Sequence, residues 1–143
     1  MNIKKLDEKA TLPTYGSALA AGADLYACLD EPVTIAPNET KLIHTGLAMA
    51  IPEGLAGLIY ARSGLASKRG LAPANKVGVV DSDYRGEVMV ALHNHGTAPQ
   101  TVEHGERIAQ LVLTPVVTAS FALVDDLDKT ERGEGGFGST GTK

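Results

Sequence analysis

Four stretches of this sequence hold polar side chains where strands and turns alone do not call for them. In residues 61–66, "ARSGLA", Arg62, Ser63 and Gly64 stand where a short helix would begin. Free backbone N–H groups, a hydroxyl and a guanidinium can there converge on phosphate oxygens. Residues 78–88, "GVVDSDYRGEV", read as a hairpin whose turn carries Asp81, Asp83 and Gly86. A carboxylate in such a turn can serve as a general base, although Asp is also a favoured turn residue. "AGADLYA", residues 21–27, sets Asp24 inside an apolar alternating segment. "GERIAQLVL", residues 105–113, sets Gln110 inside an apolar strand, where an amide costs stability unless hydrogen-bonded.

The end of the chain, "ERGEGGFGSTGTK", spells G-x-G-x-x-G from Gly133 to Gly138. It also spells a phosphate loop from Gly133 to Thr140 with serine in place of lysine. Both patterns need a strand before and a helix after, because the anion sits on that helix's N-terminus. Five residues after Gly138 are too few for that helix. The glycine loop therefore demands another explanation. "HNH" at His93–His95 offers two imidazoles on one strand face, but no third zinc ligand follows at a recognisable spacing.

The elements that must position these residues are strands. Seven prolines and sixteen glycines divide the apolar material into runs of strand length. Strands are expected at residues 3–6, 23–27, 33–35, 39–44, 47–51, 55–60, 77–80, 87–94, 101–102, 107–115 and 119–123, with one short helix in "RSGLASKRG". This spacing indicates an all-β fold, a sandwich, jelly roll or barrel with one short helix. From Asp125 on the apolar content gives way to charge and glycine, so the domain is expected over residues 1–127, with a segment at residues 128–143 that is mobile until something binds it.

Size and composition set the class. A chain of 143 residues builds one domain with a real core, not two. With 43% apolar and 21% charged residues it is an ordinary globular composition. A net charge of -4 argues against a general nucleic-acid binder, while leaving room for a small anion held by a few local arginines. The single Cys28 excludes an intramolecular disulfide and fits a reducing compartment. No apolar run approaches a membrane span and the N-terminus lacks an apolar signal core, so a cytoplasmic location is expected.

The motifs together resemble those of the trimeric dUTPases, the deoxyuridine triphosphate nucleotidohydrolases. That family carries five, and "AGADL", "ARSGLA", "GVVDSDYRGE", "GERIAQLVL" and "RGEGGFGSTG" stand here in order, over nearly the whole chain. One departure is Ala61, where the family commonly has proline before the arginine.

The resemblance implies a distorted jelly-roll or β-barrel fold with a flexible C-terminal arm, and hydrolysis of dUTP to dUMP and pyrophosphate by water attacking the α-phosphorus in line. It implies Asp81 as the catalytic carboxylate and Tyr84 packed on the deoxyribose. Backbone around Val79, Val80 and Met89 would read the uracil edge with Asn75 assisting. Arg62, Ser63, Gly64 and Gln110 would hold the triphosphate, and Asp24 would meet Mg2+ only through water. The glycine tail becomes an arm closing over the site: Arg132 faces the terminal phosphates, Phe137 stacks on uracil, and Gly138 and Ser139 lie near the phosphates. Sites shared between subunits imply a homotrimer. Two alternatives remain at this level: a dCTP deaminase of the same fold, for which Glu87 would have to act as base, and a non-catalytic trimeric nucleotide-binding regulator.

Overall fold

The structure, a computed structural model, describes residues 1–136. It contains eleven strands: β1 Asn2–Lys5, β2 Thr14–Tyr15, β3 Ala23–Tyr26, β4 Val33–Ile35, β5 Thr40–Ala50, β6 Leu55–Tyr60, β7 Leu71–Pro73, β8 Gly78–Val80, β9 Glu87–Asn94, β10 Gln100–Val102 and β11 Arg107–Pro115, with helix α1 Ser63–Arg69 between β6 and β7. They form sheets ordered β1-β5-β9-β7 and β2-β3-β11-β6-β8, with β10-β4 as a separate pair. Every described pairing is antiparallel. The fold is the expected all-β, jelly-roll class.

Side-chain alternation explains the layering. Along β9 every second residue is buried: Val88, Val90, Leu92 and Asn94. The inward faces of the sheets meet at a core built from Leu25, Ile35, Ile43, Leu47, Met49, Leu71, Leu92 and Ile108. Helix α1 adds Leu65 to that core and ends at Gly70, whose φ of 66° places it in the left-handed region that glycine adopts without strain. Its amide closes the helix on the Ala66 carbonyl at 3.1 Å.

The structure departs from the sequence reading in four places. The expected hairpin at residues 78–88 does not pair with itself. β8 pairs with β6, whereas β9 pairs with β5 and β7, so residues 81–86 cross from one sheet to the other. The two strands expected at 39–44 and 47–51 are one strand, β5, interrupted by a register shift between His44 and Ala48. β2 and β7 were not anticipated. β7 is an edge strand, which explains how Pro73 is accommodated. The strand expected at 119–123 does not form: Phe121 and Leu123 are almost fully exposed, at 97% and 103%. Within one chain that segment has no strand to pair with among the described residues.

Candidate active site

The crossover between β8 and β9 shelters a cavity of about 250 Å³. Asn75, Val79, Val80, Asp81, Tyr84 and Met89, all expected from the sequence, line it. Leu42, Ile59 and Pro73 also line it and were not foreseen. β8 is the outer strand of its sheet, hydrogen-bonded to β6 alone, so backbone groups on its other edge have no strand partner. β7 reaches only Leu92–Asn94 of β9, which leaves the edge of β9 near Met89 uncovered as well. Two unpaired strand edges thus border one cavity, and a planar ring carrying both donors and acceptors can be read by such edges.

The crossover is held in shape from within. The Tyr84 hydroxyl donates to the Glu87 carbonyl at 2.9 Å, and the Tyr84 amide donates to the Asp81 carbonyl at 3.2 Å. The Arg85 guanidinium donates to the carbonyls of Ser82 and Tyr84. Gly86 is required by packing: a Cβ there would lie 2.4 Å from the Tyr84 hydroxyl oxygen. Asp81 lines the cavity and Asp83 does not. Glu87 touches the cavity, yet its carboxylate is engaged on the β5 side. One oxygen pairs with His44 Nδ1 at 2.9 Å and the other accepts from the Gly46 amide at 2.8 Å.

The second group of expected residues gathers at the start of α1. Arg62 is the residue before the helix, in extended conformation, and no side chain caps the first turn. A Cβ on Gly64 would meet open space, so packing does not explain that glycine. The Arg62 Nε donates to Asp24 at 2.7 Å, and Arg107 Nη1 donates to the other oxygen of the same carboxylate at 3.2 Å. Gln110, half-buried on β11, donates its amide to the Ala61 carbonyl at 2.9 Å. Gly22 leaves room for it, since a Cβ there would sit 2.5 Å from the Gln110 amide oxygen. "AGADL", "ARSGLA" and "GERIAQLVL" are therefore pinned into one unit. Beside it lies a depression of about 550 Å³ lined by Arg62, Gly64, Lys68, Arg69 and Arg107 among others. Arg107, in the fourth motif, was missed because an exposed strand arginine reads as solvated charge. Its register opposite Tyr26 brings it to Asp24.

These two groups stand at opposite ends of β6. Val80 pairs with Gly57, so Asp81 continues alongside Ala56, whereas Arg62 lies six residues farther along. That separation is about 20 Å at the rise per residue of a strand. Arg132 lies in the described part of the tail, with Nε donating to the Gly135 carbonyl at 2.7 Å. Phe137, Gly138 and Ser139 lie outside the described residues.

The donor set also bears on a metal. No group of three His, Cys, Asp or Glu residues among the described residues stands close enough to cage an ion. Asp24 holds Arg62 directly, and both its oxygens are already hydrogen-bonded. His93 and His95 stack edge to face, with ring centroids 4.4 Å apart.

Comparison with known proteins places this geometry. Residues 8–141 match the family described as dUTPase. Deoxyuridine 5'-triphosphate nucleotidohydrolase of Hahella chejuensis is 52% identical over 141 residues, covering 98% of this chain and 93% of that protein. The protein of the same name from Desulfitobacterium hafniense is 54% identical over 136 residues, covering 94% and 90%. Among solved structures, the Staphylococcus bacteriophage 80alpha dUTPase with dUPNHPP superposes with a TM-score of 0.89 at 31% identity, over 98% of this chain and 97% of that one. A point mutant of the dUTPase from phage phi11 of S. aureus, described with a structural Mg(II) ion, matches with a TM-score of 0.79 at 26% identity, over 87% and 96%. With the motifs in order and the match nearly end to end, this chain belongs to the dUTPase family.

Proposed function

We propose that this protein hydrolyses dUTP to dUMP and pyrophosphate, removing dUTP from the nucleotide pool and supplying dUMP for dTMP synthesis. The observation that carries the reading is the cavity between two unpaired strand edges with Asp81 on its wall. Uracil enters this slot, and backbone groups of Val79, Val80 and Met89 meet its edge while Asn75 assists. Tyr84 lies against the deoxyribose. Asp81 orients a water and accepts its proton as the water attacks the α-phosphorus; pyrophosphate leaves on the opposite side. Arg62, Ser63, Gly64 and Gln110 hold the phosphates, so catalysis is largely positioning and charge neutralisation. Asp24 would hold magnesium through water, and the ion would supply charge that offsets part of the phosphates' own. Residues 128–143 act as the arm, with Arg132, Phe137, Gly138 and Ser139 closing over the nucleotide. The free thiol and the substrate suit the cytoplasm.

The active protein is a homotrimer whose sites draw on more than one copy. The span of about 20 Å along β6 supports this, because Asp81 and Arg62 of one copy are too far apart to serve one α-phosphate. The exposed Val117, Phe121, Leu123 and Leu127 support it too, since apolar side chains in such a run are usually covered by a partner. The deaminase reading loses its base: both Glu87 oxygens are committed to His44 and Gly46. Incubation with dUTP and with dCTP tests the assignment. Pyrophosphate and dUMP are expected from dUTP alone; ammonia from dCTP, or no turnover of dUTP, would overturn it.

A further inference from the structure

The crossover that carries Asp81 and Tyr84 is fixed differently at its two ends. At the β8 end, Val80 pairs with Gly57 in a regular ladder. At the β9 end the ladder to β5 is broken. His44 faces Met89 and Ala48 faces Glu87, so Thr45, Gly46 and Leu47 stand opposite Val88 alone. A bulge of this kind leaves its extra residues outside the ladder. Side chains make up the loss. The Thr45 hydroxyl donates to the Val88 carbonyl at 2.5 Å. The Glu87 carboxylate accepts the Gly46 amide on one oxygen at 2.8 Å and His44 Nδ1 on the other at 2.9 Å. An ionised carboxylate only accepts, so Nδ1 carries the proton of that bond.

The bulge itself is firmly seated. The His44 and Gly46 carbonyls accept from the amides of Cys28 and Leu6, each at 2.8 Å. A Cβ on Gly46 would lie 2.9 Å from the Ala10 Cβ and 3.0 Å from the Cys28 sulfur, so the backbone there is closely packed. Glu87 reaches this seat with a side chain only 21% exposed. Its carbonyl, on the other side, accepts the Tyr84 hydroxyl at 2.9 Å. Among the described residues, that is the one hydrogen bond leading out of residues 81–86; the others, from Arg85 and the Tyr84 amide, stay within the crossover. Two side-chain bonds thus hold Glu87 to β5, and one bond passes its position on to the Tyr84 ring.

We infer that Glu87 is a positioning residue: its carboxylate, seated on the β5 bulge, sets where Tyr84 lies and through it how strictly the site selects deoxyribose. The inference rests on the reading of the cavity as one for dUTP, with Tyr84 against the sugar. Glu87 acts through reach rather than charge. A glutamine at this position keeps an oxygen for the Gly46 amide, and its nitrogen can donate to His44 Nδ1 in the other tautomer. An aspartate keeps the charge but is one methylene shorter. From the same backbone position it cannot hold both His44 and Gly46, so either the start of β9 moves toward β5 or the anchor is lost. In both cases the acceptor of the Tyr84 hydroxyl shifts, and the ring shifts with it.

Steady-state hydrolysis of dUTP and of UTP, followed as pyrophosphate release, tests this in the parent and in Glu87→Asp, Glu87→Gln and Thr45→Val. The last removes the neighbouring bond of the same bulge and leaves the Tyr84 bond alone. Glu87→Asp should lower kcat/KM for dUTP about tenfold and the ratio of kcat/KM for dUTP over UTP roughly fivefold, as a shift of the sugar-facing ring demands. Glu87→Gln should keep both within about threefold of the parent. Thr45→Val should lower Tm yet hold the ratio within about twofold. An unchanged ratio in Glu87→Asp would overturn the inference while leaving the dUTP assignment intact. A glutamine variant that loses as much as the aspartate one would also overturn it, by making charge the agent. An equal fall of the ratio in Thr45→Val would do the same, by marking general loosening of the bulge. A parent that releases no pyrophosphate from dUTP would sink the assignment itself, and the inference with it.

Discussion

Gly86→Ala isolates the contribution of the β8–β9 crossover without touching a reacting group. Its φ lies outside the left-handed region, so alanine meets no backbone penalty of that kind. The conflict is with a side chain: the new Cβ would lie 2.4 Å from the Tyr84 hydroxyl oxygen and 2.6 Å from the ring carbon bearing it. Restoring ordinary contact near 3.5 Å requires the ring to move about 1 Å. The hydrogen bond from Tyr84 to the Glu87 carbonyl, now 2.9 Å, then falls outside bonding range. Tyr84 is 42% exposed, so water replaces most of that bond and the stability cost stays below about 1 kcal/mol. Activity should respond far more, because a misplacement of about 1 Å can cost about 100-fold. The assay is pyrophosphate release from dUTP, with kcat/KM expected to fall roughly 10- to 100-fold. In a Tyr84→Ala background the same glycine change should cost almost nothing further, since the clash has gone. Equal losses in both backgrounds would refute the argument that Gly86 acts through Tyr84.

Three further outcomes are expected. Asn94 is fully buried, donates to the carbonyls of Ile35 and Ala98 and accepts from the Gly96 amide, so Asn94→Leu should cost about 3 kcal/mol and lower Tm by about 10 °C. A melting curve matching the parent would show those backbone groups have other partners. Truncation after Asp128 should leave the melting temperature nearly unchanged while dUTP turnover collapses; a large thermal loss would make residues 129–143 structural instead. Burial pushes the Cys28 thiol above its ordinary pKa, so the folded protein keeps this proton where the unfolded chain releases it. Its contribution to stability is therefore present below about pH 8.5 and lost as pH rises beyond it. Native protein at pH 8 should react slowly with a disulfide reagent and quickly in urea, and rapid reaction of native protein would contradict the burial.

Much of the architecture was legible because burial alternates along single strands. β9 and β11 appear in the sequence at their observed limits, as strands buried on every second position or along a continuous apolar run. Pairing was not legible. Two strands joined by six residues look alike whether they fold back on each other or cross between sheets, and residues 81–86 do the latter. Gly46, with φ of 66°, resembles a turn in sequence but lies at the irregularity within β5. β2 and β7 are too short to leave a periodic signal. Residues 119–123 have strand propensity without a strand neighbour, and propensity alone does not make a sheet. At the site, Asp24 and Gln110 were visible as polar residues in apolar runs. Arg107 and Lys68 were not, because an exposed cation carries no signal until the fold supplies its neighbours.

The proposed homotrimer requires one copy to supply Asp81 and another to supply Arg62 to the same nucleotide. Complementation between two inactive variants is the decisive test. Asp81→Asn and Arg62→Gln should each nearly abolish dUTP hydrolysis when alone, the first by removing the base, at a cost of roughly 10²–10⁴-fold. The two inactive proteins are unfolded together in equal amounts, refolded, and isolated at about 45 kDa, three times 14.9 kDa. Sites shared between copies predict that random assembly restores about a quarter of parental activity, from sites pairing an intact Asp81 with an intact Arg62. A refolded mixture as inactive as its two components would place both residues of each site in a single chain and rule out sites shared between copies.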